Sequence, residues 1–205
     1  MTSDWFAAVV SVREDVMAMN MNTPTFDDAP PSPRASETVL QALNAKANKK
    51  PSVANLSLGG SKSTAMNTAM DNLVKAGVFA AVAAGNENQN ACNVSPASAP
   101  LATTTGATTI KDARASFSNF GTCVDVFAPG QDITSTWIGS TTATNTISGT
   151  SMASPAVAGV AAAILSANLA WTPAQVEAEL LATTTLDVVT NSGTGSPNKL
   201  LYLSC

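Results

Sequence analysis

The segment 151–168 places the strongest constraint on how this chain folds. Its helical pattern contains the consecutive residues 156–165, which put Ala, Val, Gly, Ile or Leu on every face of the helix. A helix that is apolar all round must be buried, so we expect it at the centre of a core. Glycine, proline or polar residues interrupt the apolar stretches before the ~18 residues that span a bilayer, so we expect no membrane partner.

Strand patterns precede this helix. Residues 53–58, 78–84, 103–109 and 124–127 are strand candidates. Segment 78–84 is continuously apolar, as in a strand that is buried on both faces of a parallel sheet. Helical patterns separate several of these strands, which predicts an α/β fold with a mostly parallel sheet, flanking helices and right-handed crossovers.

Further helices are predicted from the residues that begin and end them. Ser36 is placed to cap a helix that reaches about residue 47. Ser63 caps a second, amphipathic helix that stops at Gly77. Thr172, with a proline after it and Gln175 as capping-box partner, begins a third helix that reaches about residue 183.

The chain divides into two unequal parts. Residues 1–35 have the turn-rich composition of a leader or linker, and we expect them to be poorly ordered. Asp4 precedes the short apolar run 5–12 where a secretory signal would have a basic region, so we identify no signal peptide. Residues 36–205 are predicted to form one domain.

Charge and metal-ligand content exclude several function classes. Ten Lys and Arg residues against fourteen Asp and Glu residues give a net charge of -4, with no basic run to neutralise phosphates. Nucleic acid is therefore excluded as a partner. Three cysteines and no histidine exclude the usual mixed zinc sites.

The segment 148–155 places Ser151 at the mouth of the apolar helix, after a glycine that lets another backbone approach closely. Helix N-termini present unpaired N–H groups and a positive dipole end. The Ser151 N–H could therefore help to hold the negative oxygen that forms when a serine attacks a carbonyl. The alternative is a plain N-cap serine before a core helix.

The segment 83–86 ends a buried strand with Asn86. Ligands of open α/β sheets bind at the carboxyl ends of the strands, so this side chain is expected to face a crevice. Its amide is a neutral donor which, together with a backbone N–H, would form a two-donor oxyanion hole. The alternative is an ordinary turn asparagine.

Four motifs occur in a set order: S-L-G-G at 57–60, A-A-G-N at 83–86, A-S-F-S-N-F-G at 115–121 and G-T-S-M-A-S-P at 149–155. Together they resemble the subtilase family of serine proteases, and its proteinase K-like branch in particular. The resemblance runs from about residue 36 to the end, where 197–202 looks like the closing strand of the family. It implies a three-layer subtilisin-like fold that lacks its N-terminal portion.

The resemblance also implies roles for particular residues. Ser151 would be the nucleophile and Asn86 the oxyanion donor. The substrate-binding residues would be those that wall the pocket for the P1 side chain of an extended peptide: Ser57, Leu58, Gly59, Ala83, Ala84 and Gly85. A peptide or protein is the expected substrate, a monomer the expected state of the complete protein, and secretion the expected destination. No organic cofactor is implied.

A calcium site and a disulfide are also implied. Proteinase K-like enzymes hold calcium through a carboxylate and two main-chain carbonyls, and Asp125, Pro100 and Ala102 match those positions. The alternative is that Asp125 merely caps or pairs with a neighbour. Cys92 and Cys123 match a disulfide of some relatives, which would suit an oxidising compartment and leave Cys205 without a partner.

The chain departs from the family in having no base for Ser151. The Asp and His motifs of subtilases belong upstream of residue 36, and the sequence contains no histidine. A neutral serine hydroxyl is a weak nucleophile. In subtilisin, a member of that family, loss of the catalytic histidine lowers turnover on the order of 10⁶-fold. We therefore expect this chain alone to be inactive, and a pseudoprotease that binds peptides is the alternative function.

The missing region should also leave a strand edge and apolar helix faces uncovered. The absence of this region has three candidate explanations: a truncated gene model, a fragment of a larger protein, or a degenerate paralogue. We favour the truncated gene model.

Overall fold

The computed structural model describes residues 8–13 and 51–203. The predicted helix over 36–47 and Cys205, which we expected to lack a partner within the chain, lie outside those residues.

Eleven strands and three α-helices are present in the described residues. The strands are β1 Ala8–Arg13, β2 Ser52–Ser57, β3 Gly60–Ser61, β4 Phe79–Ala83, β5 Val94–Ser95, β6 Thr103–Thr108, β7 Val126–Pro129, β8 Ile133–Thr136, β9 Thr144–Ile147, β10 Thr185–Leu186 and β11 Lys199–Leu200. The helices are α1 Thr64–Lys75, α2 Thr150–Ala167 and α3 Pro173–Ala182.

Seven strands form one sheet in the order β1-β2-β4-β6-β7-β11-β10. Every neighbouring pair is parallel except β10 and β11. Two short antiparallel ribbons, β3 with β5 and β8 with β9, stand outside it. The expected α/β fold with a mostly parallel sheet is confirmed.

Helices cover both faces of this sheet. Side chains alternate between the faces of a strand, and in β4 Phe79 and Ala81 join the apolar cluster that contains α2 and α3. Ala80 and Val82, which point the other way, join the cluster that contains α1. The result is three layers, and the carboxyl ends of the parallel strands lie along one edge of the sheet.

Local signals in the sequence set most helix ends. The Ser63 hydroxyl accepts a hydrogen bond from the Met66 N–H at the start of α1, and Gly77 adopts a positive φ of 95° just after it. At α3, Thr172 and Gln175 form both hydrogen bonds of the capping box. These three predictions are confirmed.

Helix α2 differs from the expectation on one side. Its Val157, Ala158 and Ala161 are fully buried against the sheet, but Ala156 and Gly159 are exposed. The expectation of burial on every face is therefore wrong for that side, because the sheet and α3 cover only the opposite face among the described residues.

By length and composition alone, α2 would pass as a membrane-spanning helix, with 18 residues and a mean hydropathy of 1.5. We expected proline to interrupt the apolar stretches, but Pro155 lies inside this helix without ending it. The apolar helix is therefore longer than we expected. Its packing against β1, β2, β4, β6, β7 and α3 is that of a core helix.

Strand β1 lies in the segment that we interpreted as a leader. It pairs in parallel with β2 from Ala8 opposite Ser52 to Arg13 opposite Ser57, and the sequence analysis assigned no strand there. The domain division at residue 35 stays a prediction. The strand predicted at 124–127 begins two residues later, as β7.

Candidate functional site

Ser151 is the second residue of α2, at the carboxyl-end edge of the sheet. Gly149 is the N-cap residue and contributes no side-chain hydrogen bond to the helix. The alternative that Ser151 is a plain N-cap serine is therefore wrong. The Ser151 side chain is half-buried, and its hydroxyl forms no hydrogen bond with another described residue.

The side chain of Asn86 supplies the cap that Gly149 cannot. The Asn86 Oδ1 accepts hydrogen bonds from the Thr150 N–H at 2.8 Å and from the Thr150 hydroxyl at 3.0 Å. Thr150 Oγ1 in turn accepts a hydrogen bond from the Gly85 N–H at 3.1 Å. Asn86 thus joins the end of β4 to the start of α2, which is not the role of an ordinary turn asparagine.

This pairing fixes which end of the Asn86 amide remains available. A backbone N–H only donates, so the atom facing Thr150 must be the oxygen. The Nδ2 group then points away from Thr150, and it donates to no other described residue. Gly149 lies close to both Asn86 and Ser151. A Cβ built on Gly149 would lie 3.6 Å from the Ser151 nitrogen and 3.8 Å from Asn86 Oδ1. Residues 86 and 151, 65 places apart in the chain, therefore meet at one place.

Two donors at this place form no hydrogen bond within the part of the chain that the structure describes. The first N–H groups of a helix have no partner within it, and the Ser151 N–H forms no hydrogen bond with the described residues. The Asn86 Nδ2 is the other. A pair of fixed, neutral donors beside a serine hydroxyl is the arrangement that stabilises an oxyanion during acyl transfer.

A chain of buried hydrogen bonds holds the first turn of α2 against β2. The Ser154 hydroxyl donates to Asn55 Oδ1 at 2.6 Å, and Asn55 Nδ2 donates to Ser57 Oγ at 3.0 Å. The Ser57 hydroxyl then donates to the Ser151 carbonyl at 2.8 Å. Asn55 was missed by the sequence analysis, although a polar residue inside the buried strand β2 was the available signal.

A cavity of about 200 Å³ opens beside Ser151. Its lining contains no Asp, Glu, Lys or Arg: Ser57, Ile133, Ser135, Trp137, Asn145, Ile147, Ser151, Met152 and Pro155. Among the described residues, no titratable group of this cavity is placed to accept the proton of Ser151.

A second cavity, of about 360 Å³, lies between the segments that follow β2 and β4. It is lined by Gly59, Gly60, Ser61, Gly85, Glu87, Gln89, Asn93 and Val94. Of the residues predicted to wall the P1 pocket, Gly59 and Gly85 line it. The side chains of Leu58, Ala83 and Ala84 are buried, so only their backbone could face a peptide.

The loop after β4 is held by Asn119, which is fully buried. Asn119 Oδ1 accepts from the N–H groups of Glu87 at 3.1 Å and Gln89 at 2.9 Å. Its Nδ2 donates to the Ala84 carbonyl and to Glu87 Oε2, both at 2.8 Å. The sequence analysis quoted the motif that contains Asn119 without assigning it a role, because nothing local shows what a buried amide contacts.

The predicted calcium ligands lie at the start of β6. Asp125 is half-buried, and its Oδ2 accepts from the Thr104 N–H at 2.7 Å, two residues after Ala102. Burial raises the pKa of Asp125 from 3.8 to about 6, and the nearby Glu177 adds to this shift. Asp125 offers a carboxylate oxygen of the kind that calcium prefers, and its bond to the Thr104 N–H is the capping contact that we gave as the alternative. The calcium site therefore stays a prediction.

The predicted disulfide is confirmed. Cys92 and Cys123 are bonded, with their Cα atoms 5.3 Å apart. The bond joins the loop after β4 to the segment that leads into β7.

Comparisons with known proteins find a matching family and similar sequences. The model of the subtilase family matches residues 19–200. An extracellular serine proteinase from Thermus sp. is 58% identical over 153 residues, which are 75% of this chain and 37% of that protein. A subtilisin-like serine protease of Sarocladium strictum is 57% identical over 74% of this chain and 38% of its own length.

A solved structure is similar in fold as well. The crystal structure of a cold-adapted subtilisin-like serine proteinase superposes with a TM-score of 0.76 at 45% identity. The superposition covers 85% of this chain and 64% of that protein. This chain therefore spans less than two fifths of the two curated relatives above and about two thirds of the solved structure.

Proposed function

Because this chain belongs to the subtilase family, we propose that it supplies the nucleophile and the oxyanion hole of a serine endopeptidase. The observation that carries the proposal is the clamp between Asn86 and Thr150. It supports the proposal because it leaves the Asn86 Nδ2 and the Ser151 N–H as donors near a serine hydroxyl, and none of these three groups forms a hydrogen bond with the described residues.

The reaction begins when Ser151 Oγ attacks the carbonyl carbon of a peptide bond. The carbonyl oxygen becomes negative and is held by Asn86 Nδ2 and the Ser151 N–H. Collapse of this intermediate releases the amine and leaves an acyl group on Ser151, which water then removes. The hydroxyl proton has to pass to a base and then to the leaving amine, and this chain has no histidine to carry it. A histidine oriented by an aspartate is therefore supplied by sequence outside this chain.

The substrate is an extended peptide. Its P1 side chain enters the cavity between Gly59 and Gly85, and its backbone pairs with the segment that follows β2. The Thermus relative is named an extracellular proteinase, and this chain contains a disulfide. Both features support secretion into an oxidising compartment.

Calcium is the proposed structural ion. Asp125, with the main-chain carbonyls of Pro100 and Ala102, would hold it at the start of β6. The bound ion would neutralise a carboxylate whose pKa burial raises, and it would hold together the segments that lead into β6 and β7.

A peptide-binding module without catalysis is the second candidate. It is favoured by the absence of histidine and by the cavity beside Ser151, whose described lining offers no base. The same crevice would then hold an extended peptide that is not cleaved.

A hybrid protein tests the proposal. The part of the Thermus sp. proteinase that precedes the region matching this chain is fused ahead of that region. A fluorophosphonate probe should label Ser151 of the hybrid, and Ser151→Ala should abolish labelling. The chain alone should label no faster than its own Ser151→Ala variant. Asn86→Ala in the hybrid should lower kcat by about 10²–10³-fold, which is the loss measured for the oxyanion asparagine of subtilisin, a member of the same family.

The hybrid separates the two candidates. If it folds and binds an N-acetylated peptide but neither reacts with the probe nor cleaves the peptide, the peptidase proposal fails and the binding module is supported. Labelling that persists in Ser151→Ala would show that another residue is the nucleophile.

A further inference from the structure

A proline removes one hydrogen bond from the first turn of α2. In an α-helix the carbonyl of each residue accepts from the N–H four residues later. Four residues after Ser151 the chain has Pro155, which has no N–H, and Pro155 nevertheless lies inside α2. The Ser151 carbonyl therefore needs a donor from elsewhere, because a carbonyl that is shielded from water without a donor costs free energy.

The hydroxyl of Ser57 supplies that donor. Ser57 Oγ donates to the Ser151 carbonyl at 2.8 Å, from a position 94 residues earlier in the chain. Ser57 is the last residue of β2 and is 2% exposed, which limits competition from water. A hydrogen bond between the helix and the sheet thus replaces one that would have lain within the helix.

Asn55 decides where the Ser57 hydrogen points. A serine hydroxyl has one hydrogen to donate. Asn55 Nδ2 donates to Ser57 Oγ at 3.0 Å, so that hydrogen is left for the Ser151 carbonyl. If the amide were turned round, its oxygen would face Ser57 Oγ and compete with the Ser151 carbonyl for the same hydrogen.

Ser154 fixes the orientation of this amide. Its hydroxyl donates to Asn55 Oδ1 at 2.6 Å, and both side chains are buried. The three hydrogen bonds leave α2 at Ser154, pass through Asn55 and Ser57 on β2, and return to α2 at the Ser151 carbonyl. All three run in the same direction, and hydrogen bonds aligned in this way strengthen one another.

A second anchor holds the other side of the nucleophile. Thr150, the residue before Ser151, is bonded to Asn86 through its N–H and its hydroxyl. Ser151 therefore lies between one anchor on the loop after β4 and another on β2. Its N–H and its Oγ both branch from the Cα that these anchors hold. Their positions matter for catalysis, because a displacement of about 1 Å can lower a rate by about 10²-fold.

We propose that Asn55 is a positioning residue for the nucleophile Ser151. By orienting the Ser57 hydroxyl, it replaces the helical hydrogen bond that Pro155 removes. The inference rests on the proposed function, because that function makes Ser151 the nucleophile. It also gives the Ser57 side chain a role apart from the P1 pocket, since Ser57 is not part of the described lining of that cavity.

Kinetics of the hybrid peptidase test the catalytic part of the inference. Ser57→Ala removes the donor, and Asn55→Asp turns the Ser57 hydroxyl away from α2, because an ionised carboxylate only accepts. Each variant should lower kcat by about tenfold at constant KM, which is the effect expected when one neutral hydrogen bond is lost. Asn168→Asp is the matched control: it makes the same change at the other end of α2 and should leave kcat unaltered.

Pro155→Ala provides a rescue that a merely structural role would not show. Alanine restores an N–H four residues after Ser151, so the carbonyl of Ser151 no longer depends on Ser57. Added to Ser57→Ala or to Asn55→Asp, Pro155→Ala should restore most of the lost kcat. On its own it should not raise kcat, because the carbonyl already has a donor.

The full 205-residue chain reports the hydrogen bond itself, without catalysis. Ser151-Met152 is the one Ser–Met pair in the sequence. Isotopic labels on the serine carbonyl carbon and the methionine nitrogen therefore select a single peak in a carbonyl–amide correlation spectrum. Ser57→Ala and Asn55→Asp should move the carbonyl resonance of this peak upfield, since the carbonyl loses its donor. Pro155→Ala should move it back in each variant.

Two results would overturn the inference. If Ser57→Ala and Asn55→Asp change neither kcat nor the carbonyl resonance, the hydrogen bond does not hold Ser151. If kcat falls but Pro155→Ala does not restore it, these residues act through packing or charge and not through the Ser151 carbonyl. A hybrid that neither labels nor cleaves refutes the proposed function instead, and the carbonyl resonance then decides separately whether Asn55 directs the Ser57 hydroxyl.

Discussion

Replacing Asn119 by alanine should release the loop that carries Asn86 and Glu87. The variant loses four side-chain hydrogen bonds, two accepted from the N–H groups of Glu87 and Gln89 and two donated to the Ala84 carbonyl and Glu87 Oε2. A buried acceptor left without a donor costs about 1–3 kcal/mol, and each bond at the half-exposed loop contributes about 0.5–1.5 kcal/mol. The free energy of unfolding should therefore fall by about 3–5 kcal/mol.

Urea denaturation measures this loss, and Asn67→Ala is the matched control. Asn67 Nδ2 donates one hydrogen bond, to Ser98 Oγ at 2.9 Å, and its Oδ1 is buried with no hydrogen-bond partner among the described residues. That variant should lose no more than about 1 kcal/mol. If Asn119→Ala is no more destabilising than Asn67→Ala, the network around Asn119 does not hold the loop and the reasoning is refuted.

Asn119→Asp provides a second, pH-dependent test. The new carboxylate would still accept from the two N–H groups, but it would face Glu87 in place of a donor. Burial and the neighbouring negative charge both raise the pKa of such a carboxyl. The folded state would then hold its proton to higher pH than the unfolded state, so stability should fall as pH rises above the ordinary pKa of Asp. A variant that loses no stability between about pH 4 and pH 7 would contradict this argument.

Three further predictions follow from other contacts. Cys92→Ser with Cys123→Ser should lower the free energy of unfolding by about 3–4 kcal/mol, since the bond closes a separation of 31 residues; a loss below about 1 kcal/mol in urea would contradict the chain-entropy estimate. With chelator present, stability should fall as pH rises from 3.8 to about 6, because burial raises the pKa of Asp125 and the unfolded chain ionises first. Asp125→Asn should remove that fall in thermal melts, and an unchanged pH dependence would count against it. In the hybrid peptidase, Thr150→Val should lower kcat about tenfold at constant KM, since valine loses the hydroxyl that bonds Asn86; Thr150→Ser should retain activity, and equal kcat in both variants would refute this role.

Local sequence was sufficient for the elements that depend on near neighbours. The caps at Ser63 and Thr172 act over three residues, and the glycine stop at Gly77 depends on its own φ. The four predicted strands of the central sheet lie within two residues of their expected bounds. Strand β1 was missed, because its pairing with β2 depends on residues about 44 positions away.

The candidate site was predictable only in part. The family resemblance gave Ser151, Asn86 and the paired cysteines, because short motifs carry that information. Thr150 and Asn119 were not assigned roles, since each acts on the loop after β4 from more than 29 residues away along the chain. The exposed side of α2 could not be predicted either, because the sequence of that helix is apolar on all faces.

What the sequence alone determined is the set of chemical groups and the local structure that carries each of them: a serine at a helix start, an asparagine at a strand end, and no histidine. What the tertiary structure decided is their relative orientation. The parallel sheet brings the carboxyl ends of β2 and β4 to the N-terminus of α2, so the Asn86 oxygen meets the Thr150 N–H and its nitrogen is left to donate elsewhere. Hydrogen bonds between segments 64 residues apart follow from strand order and helix packing, and no local pattern encodes them.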